Sequence, residues 1–222
     1  MKYRHEVKHA ITYADRLSII ASLSAVAQRD EHAGADGEYF IRSLYFDNLY
    51  NKALNEKADG LPVRDKYRIR YYNGDTSFMV LEKKSKIDGL CLKASQNITS
   101  EEVKLLLNGN TAWLAGCGGL LTELYVKMQC EGLRPKSIVD YRRIPFVYDP
   151  GNVRVTIDYD IRSSGSVNEF LNPGCTTLSC GDTTLLEVKW DEYLPSVIRQ
   201  AVQLKGVSAG AFSKYAASRR FF

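Results

Sequence analysis

Apolar and polar positions alternate along many short stretches of this chain, the period of strands that are half-buried on one face. The first runs from Tyr3 to Ala10 and ends at Thr12, which predicts a helix from about Tyr13 to Gln28 with Thr12 as its cap and Asp15 in its first turn. YFIRSLYFD, residues 39–47, is rich in aromatic and β-branched side chains and reads as a strand of core and wall, with a short polar helix after it to about Lys57. Three strands follow, Asp65 to Asn73, Ser77 to Lys86 and Leu90 to Ile98. They are separated by Asn73-Gly74-Asp75 and by Asp88-Gly89, residues that tight hairpin turns favour. Thr99 with Glu102 forms a capping box and predicts a helix to about Leu107; a second helix is expected over Leu120 to Glu131, stopped by Gly132 with Pro135 just beyond. Residues 136–149 and 152–164 flank Asp149-Pro150-Gly151-Asn152, a hairpin turn. A last strand, Thr184 to Asp191, precedes Pro195 at the head of a helix to about Lys205, and residues 212–220 make a short C-terminal helix. About eight strands, mostly linked as neighbours and undivided by any Pro/Gly/Ser linker, predict an α+β fold: an eight-stranded antiparallel β-barrel tunnel with helices packed outside, residues 1–222 forming a single domain.

Composition narrows the class. With 45% hydrophobic and 25% charged residues in 222, disorder, collagen and coiled coil are poor readings. No apolar run approaches the roughly 18 residues of a membrane helix, since Leu17 to Ala27 is broken by Ser18, Ser22 and Ser24. The opening MKYRHEVKHAIT carries charges where a secretory signal needs an apolar segment. Cys91, Cys117, Cys130, Cys175 and Cys180 form an odd set with no C-x-x-C pair, which argues against disulfides and zinc knuckles and suits a cytoplasmic location. His5 and His9 lie four apart on an alternating segment, not a helix, so a zinc pair is not expected. Thirty Lys+Arg against 26 Asp+Glu give +4, too mild to imply nucleic acid.

Where the charges sit is more informative. Taking every second residue of each strand gives Arg4, Glu6 and Lys8; Lys66, Arg68, Arg70 and Tyr72; Glu82, Lys84 and Lys86; then Lys93 and Ser95. The later hairpin adds Tyr141 and Arg143 on one arm and Arg154, Thr156, Asp158 and Asp160 on the other, and the last strand adds Glu187 and Lys189. One amphipathic strand with a wet face is ordinary, but nearly every strand here carries cations on one face. If a barrel closes with these faces inward, self-repulsion and desolvation forbid the arrangement unless a dense anion fills it. Phosphate chains suit it, because Arg forks bind phosphate oxygens in pairs and Lys supplies point charge. Glu6, Glu82, Asp158, Asp160 and Glu187 would hold some cations in place and offer hard oxygen ligands to Mg²⁺ or Mn²⁺.

These residues resemble the triphosphate tunnel metalloenzymes (CYTH-like superfamily), and within them the VTC-type polyphosphate polymerase domain. The points of likeness are YRHEVKH at 3–9, KYRIRYY at 66–72, LEKKSK at 81–86, LK at 92–93, DYRRIPF at 140–146, VRVTID at 153–158, LLEVKW at 185–190 and FSKY at 212–215. The resemblance implies that Lys8, Arg68, Arg70, Lys84, Lys93, Arg143, Arg154 and Lys189 act on the triphosphate or growing chain. It implies substrate-binding roles for Arg4, Glu6, Tyr141, Ser213, Lys214 and Lys86, and it makes Glu187 the ligand of a divalent metal, Mn²⁺ or Mg²⁺. The implied activity is transfer of the γ-phosphate of a nucleoside triphosphate, ATP by resemblance, to polyphosphate. Nucleoside triphosphate and polyphosphate are the expected partners, with no nucleic acid and no membrane span, and with room for a membrane partner protein. Arg4-x-Glu6-x-Lys8 has Arg where the triphosphatase relatives carry the first glutamate of E-x-E-x-K, which favours the polymerase branch over a tunnel triphosphatase. A non-catalytic polyphosphate-binding module is the other alternative, and Glu187 among the cations counts against it. Asp140 and Arg142 occupy the face opposite Tyr141 and Arg143, and Pro145 allows a bulge that would exchange them.

Overall fold

The computed structural model describes residues 4–31, 33–87, 90–203, 210 and 212–220. In chain order the elements are β1 (His5–Ile11), α1 (Tyr13–Ser24), β2 (Gln28–Arg29), β3 (Tyr39–Asp47), α2 (Lys52–Ala58), β4 (Val63–Tyr72), β5 (Asp75–Ile87), β6 (Leu90–Ile98) and α3 (Ser100–Leu107). There follow α4 (Gly119–Glu131), β7 (Arg134–Tyr148), β8 (Val153–Ser164), β9 (Leu178–Ser179), β10 (Thr184–Trp190), α5 (Ser196–Ala201) and α6 (Lys214–Ser218). Hydrogen bonding follows the order β1-β10-β8-β7-β3-β4-β5-β6, with β2 on β7 and β9 on β8. The pairs β1–β10, β10–β8, β3–β4, β4–β5 and β5–β6 are all antiparallel, so the expected α+β class with eight main antiparallel strands stands.

Local chemistry sets most boundaries. Thr12 and Asp15 close a reciprocal capping box on α1, and Thr99 and Glu102 do the same on α3, each satisfying amide groups that a helix start leaves open. Gly132 ends α4 in the left-handed region at φ 67°, as a helix stop requires. Asn73 and Gly74, at φ 52° and 75°, make the two-residue turn between β4 and β5. Gly151 sits at φ 75° where a Cβ would lie 2.5 Å from the Tyr193 carbonyl oxygen, so the β7–β8 turn admits only glycine. The helix expected to reach Gln28 stops at Ser24, because Gln28 and Arg29 pair with Val147 and Phe146 instead. The Asp88-Gly89 turn, the first residues of the strand expected from Tyr3, and the end of the helix expected to reach Lys205 lie outside the described residues.

The chain forms two compact units interleaved in sequence. Unit 1 takes residues 1–40, 141–161 and 179–214. In it the odd-numbered side chains of β8, Val153, Val155 and Ile157, pack with Leu186 and Val188 of β10 and with Ile19 and Leu23 of α1 and Ile198 of α5. Unit 2 takes residues 41–140, 162–178 and 215–222. Its core joins Tyr67, Ile69 and Tyr71 of β4 to Met79 and Leu81 of β5, Val103 and Leu106 of α3 and Leu121 and Leu124 of α4. In both units the apolar parity of the strands goes to the helices, which leaves the cationic parity on the opposite face. The run from Tyr39 to Phe46 is core, as expected.

Candidate phosphate and metal site

In unit 2 the cationic face is organised by one carboxylate. Register sets Glu82 of β5 directly opposite Arg68 of β4 and Ser95 of β6. Glu82 is 3% exposed and receives Arg68 Nε at 2.8 Å, Arg70 Nη2 at 2.7 Å and Lys93 Nζ at 2.5 Å. Arg68 also donates to the Tyr45 hydroxyl at 3.2 Å. Burial alone would push the Glu82 carboxyl up, but Arg68, Arg70 and Lys93 outweigh it and hold it down at about 2. Three cations thus surround one anion, a net positive cluster whose guanidinium forks are oriented before any ligand arrives. Lys84 and Lys86 continue the same face along β5, outside this cluster.

In unit 1 the corresponding face holds two groups. Cross-strand register places Lys8 opposite Glu187 and Glu6 opposite Lys189. Lys8 Nζ lies 2.9 Å from Glu6 Oε1 and 3.6 Å from Glu187 Oε2, while Lys189 meets Glu6 at 3.5 Å and also pairs with Glu187. Burial works against the Glu187 charge, yet Lys189, Lys8 and Arg143 hold its carboxyl well below the ordinary range. Desolvation likewise opposes the Lys8 charge, and Glu187 and Glu6 more than restore it, so its ammonium is raised. The second group centres on Asp158, fully buried, which accepts Arg143 through Nε at 2.6 Å and Nη2 at 2.8 Å and Lys214 Nζ at 2.5 Å. Lys214 and Arg143 lie 4.5 and 5.5 Å from the Tyr141 ring centroid, so the tyrosine is a cation-binding wall. Against burial, Arg143 and Lys214 keep Asp158 at about 2.

The remaining expected residues are placed individually. Arg154 stands opposite Lys189 on β8 but pairs with Asp30, and Arg4 pairs with Asp191 at 2.9 Å and with the Asn152 carbonyl, outside the Glu6–Glu187 group. Ser213 precedes Lys214 immediately and is half-buried. The β7 side chains part company as the alternation predicts. Arg143 meets Asp158, whereas Asp140 is buried in a two-bond pair with Arg42 at 2.9 and 2.8 Å, and Arg142 is exposed near Glu38 at 3.7 Å. The sequence pattern put Glu82 and Asp158 on the cationic face without showing that they are its hubs. Asp30, just after β2, carried no periodic signal at all.

Among the described residues no three or more His, Cys, Asp or Glu gather closely enough to form a metal site alone. Glu6 and Glu187 nevertheless fit a hard divalent cation. They share the same two lysines, and Mg²⁺-type ions take one or two protein carboxylates and complete their shell with phosphate oxygens and water. No described helix is long and apolar enough to cross a membrane.

No curated protein matches the sequence. Among solved structures, a candidate adenylate cyclase from Bacillus halodurans matches 85% of this chain and 80% of its own at 15% identity and TM-score 0.51, a likeness of fold alone. The PH1012 protein of Pyrococcus horikoshii covers 94% of both chains at 13% identity, with a TM-score of 0.48. The family model of the VTC domain matches residues 3–222. The motifs of alternating cations and carboxylates therefore belong to one continuous family match, and this chain is a member of the VTC domain family.

Proposed function

We propose that the chain is a metal-dependent polyphosphate polymerase that transfers the γ-phosphoryl group of a nucleoside triphosphate, ATP in the first instance, to a growing polyphosphate. The observation that carries this reading is the net positive Glu82 cluster, in which Arg68, Arg70 and Lys93 are held ready by a single carboxylate. Such an arrangement favours a multiply charged phosphate over a neutral or singly charged ligand.

The protein's part is positioning and charge. Arg68, Arg70 and Lys93 neutralise phosphate oxygens, with Lys84 beside them on the same face. Arg143 and Lys214, fixed by Asp158, and Lys8 and Lys189, fixed by Glu6 and Glu187, give unit 1 a set of cations of its own that would take phosphate oxygens. Arg154, Ser213 and Lys86 add contacts along the chain. Glu187 with Glu6 would hold Mn²⁺ or Mg²⁺, which supplies Lewis-acid stabilisation of phosphate oxygens. A terminal oxygen of the acceptor phosphate forms the new bond to the γ-phosphorus as the β–γ bridging bond breaks, and a nucleoside diphosphate leaves. The acceptor is already anionic, so no Ser, Cys or His nucleophile is required. This reading assigns the protein to the cytoplasm, where its five unpatterned cysteines would stay reduced.

The test is to incubate the purified chain with ATP and Mn²⁺, with and without a short polyphosphate primer, and to resolve the products on a gel beside Glu187→Ala. Long chains from the wild type alone are expected. Orthophosphate without chains would make the protein a triphosphatase, and tight binding without turnover would make it a binding module.

A further inference from the structure

The guanidinium of Arg68 is anchored on two sides. Nε and Nη2 both reach Glu82 Oε2 at 2.8 Å, and Nη1 donates to the Tyr45 hydroxyl at 3.2 Å. Register sets Tyr45 of β3 directly opposite Arg68 of β4, so this tyrosine shares the charged face while its neighbours Leu44 and Phe46 turn into the core. Glu82 divides its two oxygens among Arg68, Arg70 and Lys93, and the Tyr45 hydroxyl gives Arg68 a second point that fixes the plane of its fork.

Tyr45 is held in turn by the C-terminal helix. Its ring stacks on Tyr215, with centroids 5.3 Å apart and the planes at 28°. The Tyr215 hydroxyl donates to Asp47 Oδ2 at 2.6 Å; burial and then Asp47 push that phenol up, so it stays a donor. Asp47, fully buried, also accepts the amides of Asn48 and Ala53 at 2.9 Å and of Leu54 at 3.2 Å, which fixes it against the first turn of α2. Further along α6, the Ser218 hydroxyl donates to the Tyr215 carbonyl at 2.7 Å and meets the Ser137 hydroxyl at 3.1 Å, and Arg219 donates to Asn51 at 3.2 Å. A helix of five residues has no stability of its own, so these side-chain ties are what place it. From Arg68 to Arg219, all of the side chains in this chain of contacts belong to unit 2.

We propose that Tyr45 and Tyr215 are positioning residues of the Glu82 cluster: Asp47 ties Tyr215 down, Tyr215 backs the ring of Tyr45, and Tyr45 sets the orientation in which Arg68 meets a phosphate. The inference rests on reading that cluster as the triphosphate site. Neither tyrosine touches the substrate in this scheme. They act through Arg68, whose fork would otherwise swing on its flexible stem and lose part of its binding to the entropy of being placed.

The test is a double-mutant cycle read by calorimetric titration with tripolyphosphate, at a temperature where each variant keeps the wild-type near-ultraviolet circular dichroism. Tyr45→Phe removes the hydroxyl that receives Arg68 and keeps the ring. It should weaken binding by about tenfold, the scale of one hydrogen bond to a charged group. Tyr215→Phe keeps the stack and loses the bond to Asp47, and should weaken binding by about threefold. In an Arg68→Gln background both substitutions should cost less than about twofold, because no guanidinium is left to place. A purely structural role would not vanish there. Equal losses in the two backgrounds would show that the tyrosines act by general packing, and no loss in the Arg68 background would show that the fork does not need them; either result overturns the proposal. Turnover is read separately. A wild type that shows this coupling but makes no polymer would sink the polymerase reading alone, and one that makes polymer without the coupling would sink this inference alone. Failure of the wild type to bind tripolyphosphate would sink both.

Discussion

The Glu82 cluster of unit 2 and the Glu187 group of unit 1 differ in their balance of charge. Around Glu82 one acid meets Arg68, Arg70 and Lys93, while around Glu187 two acids meet two bases, Glu6 and Glu187 with Lys8 and Lys189. The first cluster is short of negative charge, and on the proposed function an anion would complete it. The second is neutral as it stands, so on the proposed function its carboxylates would turn to a divalent cation only as its lysines turn to phosphate. Similar alternating strands thus produce a net positive cluster in one place and a balanced acid–base square in the other, and the ratio of carboxylates to cations makes the difference.

The sharpest way to break this comparison is Glu187→Gln. It removes the proposed metal ligand and leaves Lys8 and Lys189 sharing Glu6, and turnover of ATP with Mn²⁺ should fall by about a hundredfold or more. A loss no greater than that of Glu6→Gln would show that the two acids are equivalent. Glu82→Gln should act on stability first, since it strands three cations on one face. Breaking a buried ion pair costs about 3–5 kcal/mol, and the urea midpoint should drop accordingly and recover in part when polyphosphate is added. A variant that is no less stable would mean that the cluster is not held by Glu82.

Acid separates the clusters from the rest of the protein. Glu82 and Asp158 titrate near 2 in the folded state against ordinary values of 4.5 and 3.8. Folded values below unfolded ones contribute stability that is complete above the ordinary values and is lost as pH falls toward 2. Urea midpoints should therefore decline between pH 4.5 and 2 in the wild type and decline less in Glu82→Gln. Lys66 works in the opposite sense. Its folded value near 8 lies below the ordinary 10.5, so the unfolded chain binds more protons in that window and stability should rise between those values. Lys66→Met should flatten that rise. The smallest expected effect is Thr99→Ala, which removes the α3 cap and should lower stability by about 1 kcal/mol without altering either cluster, as a midpoint shift with unchanged phosphate binding would show.

Much of this was legible in the chain. Strand alternation placed the cations and carboxylates on one parity, and the caps at Thr12 and Thr99, the stop at Gly132 and the turns at Asn73-Gly74 and Gly151 were readable because each is a local preference of a few neighbouring residues. The early end of α1 was not, because a contact with β7 more than a hundred residues away competes with helix propensity there. Nor were the partnerships of Arg154 with Asp30, which lies outside any strand, and of Asp140 with Arg42, which depends on β7 lying beside β3.

By itself the sequence determined the parity of the charged face and the residue types on it, since side-chain direction along a strand follows from the two-residue repeat. Only the tertiary structure decided which carboxylate serves which cations. Glu187 meets Lys8 because β10 pairs with β1 in one particular register, Asp158 meets Arg143 and Lys214 because β7 and the start of α6 come to β8, and Glu82 becomes a hub because β4 and β6 flank β5. A shift of one residue in any of those pairings would turn the cations to the apolar face. The register is held by the hydrophobic cores of the two units rather than by the charges themselves.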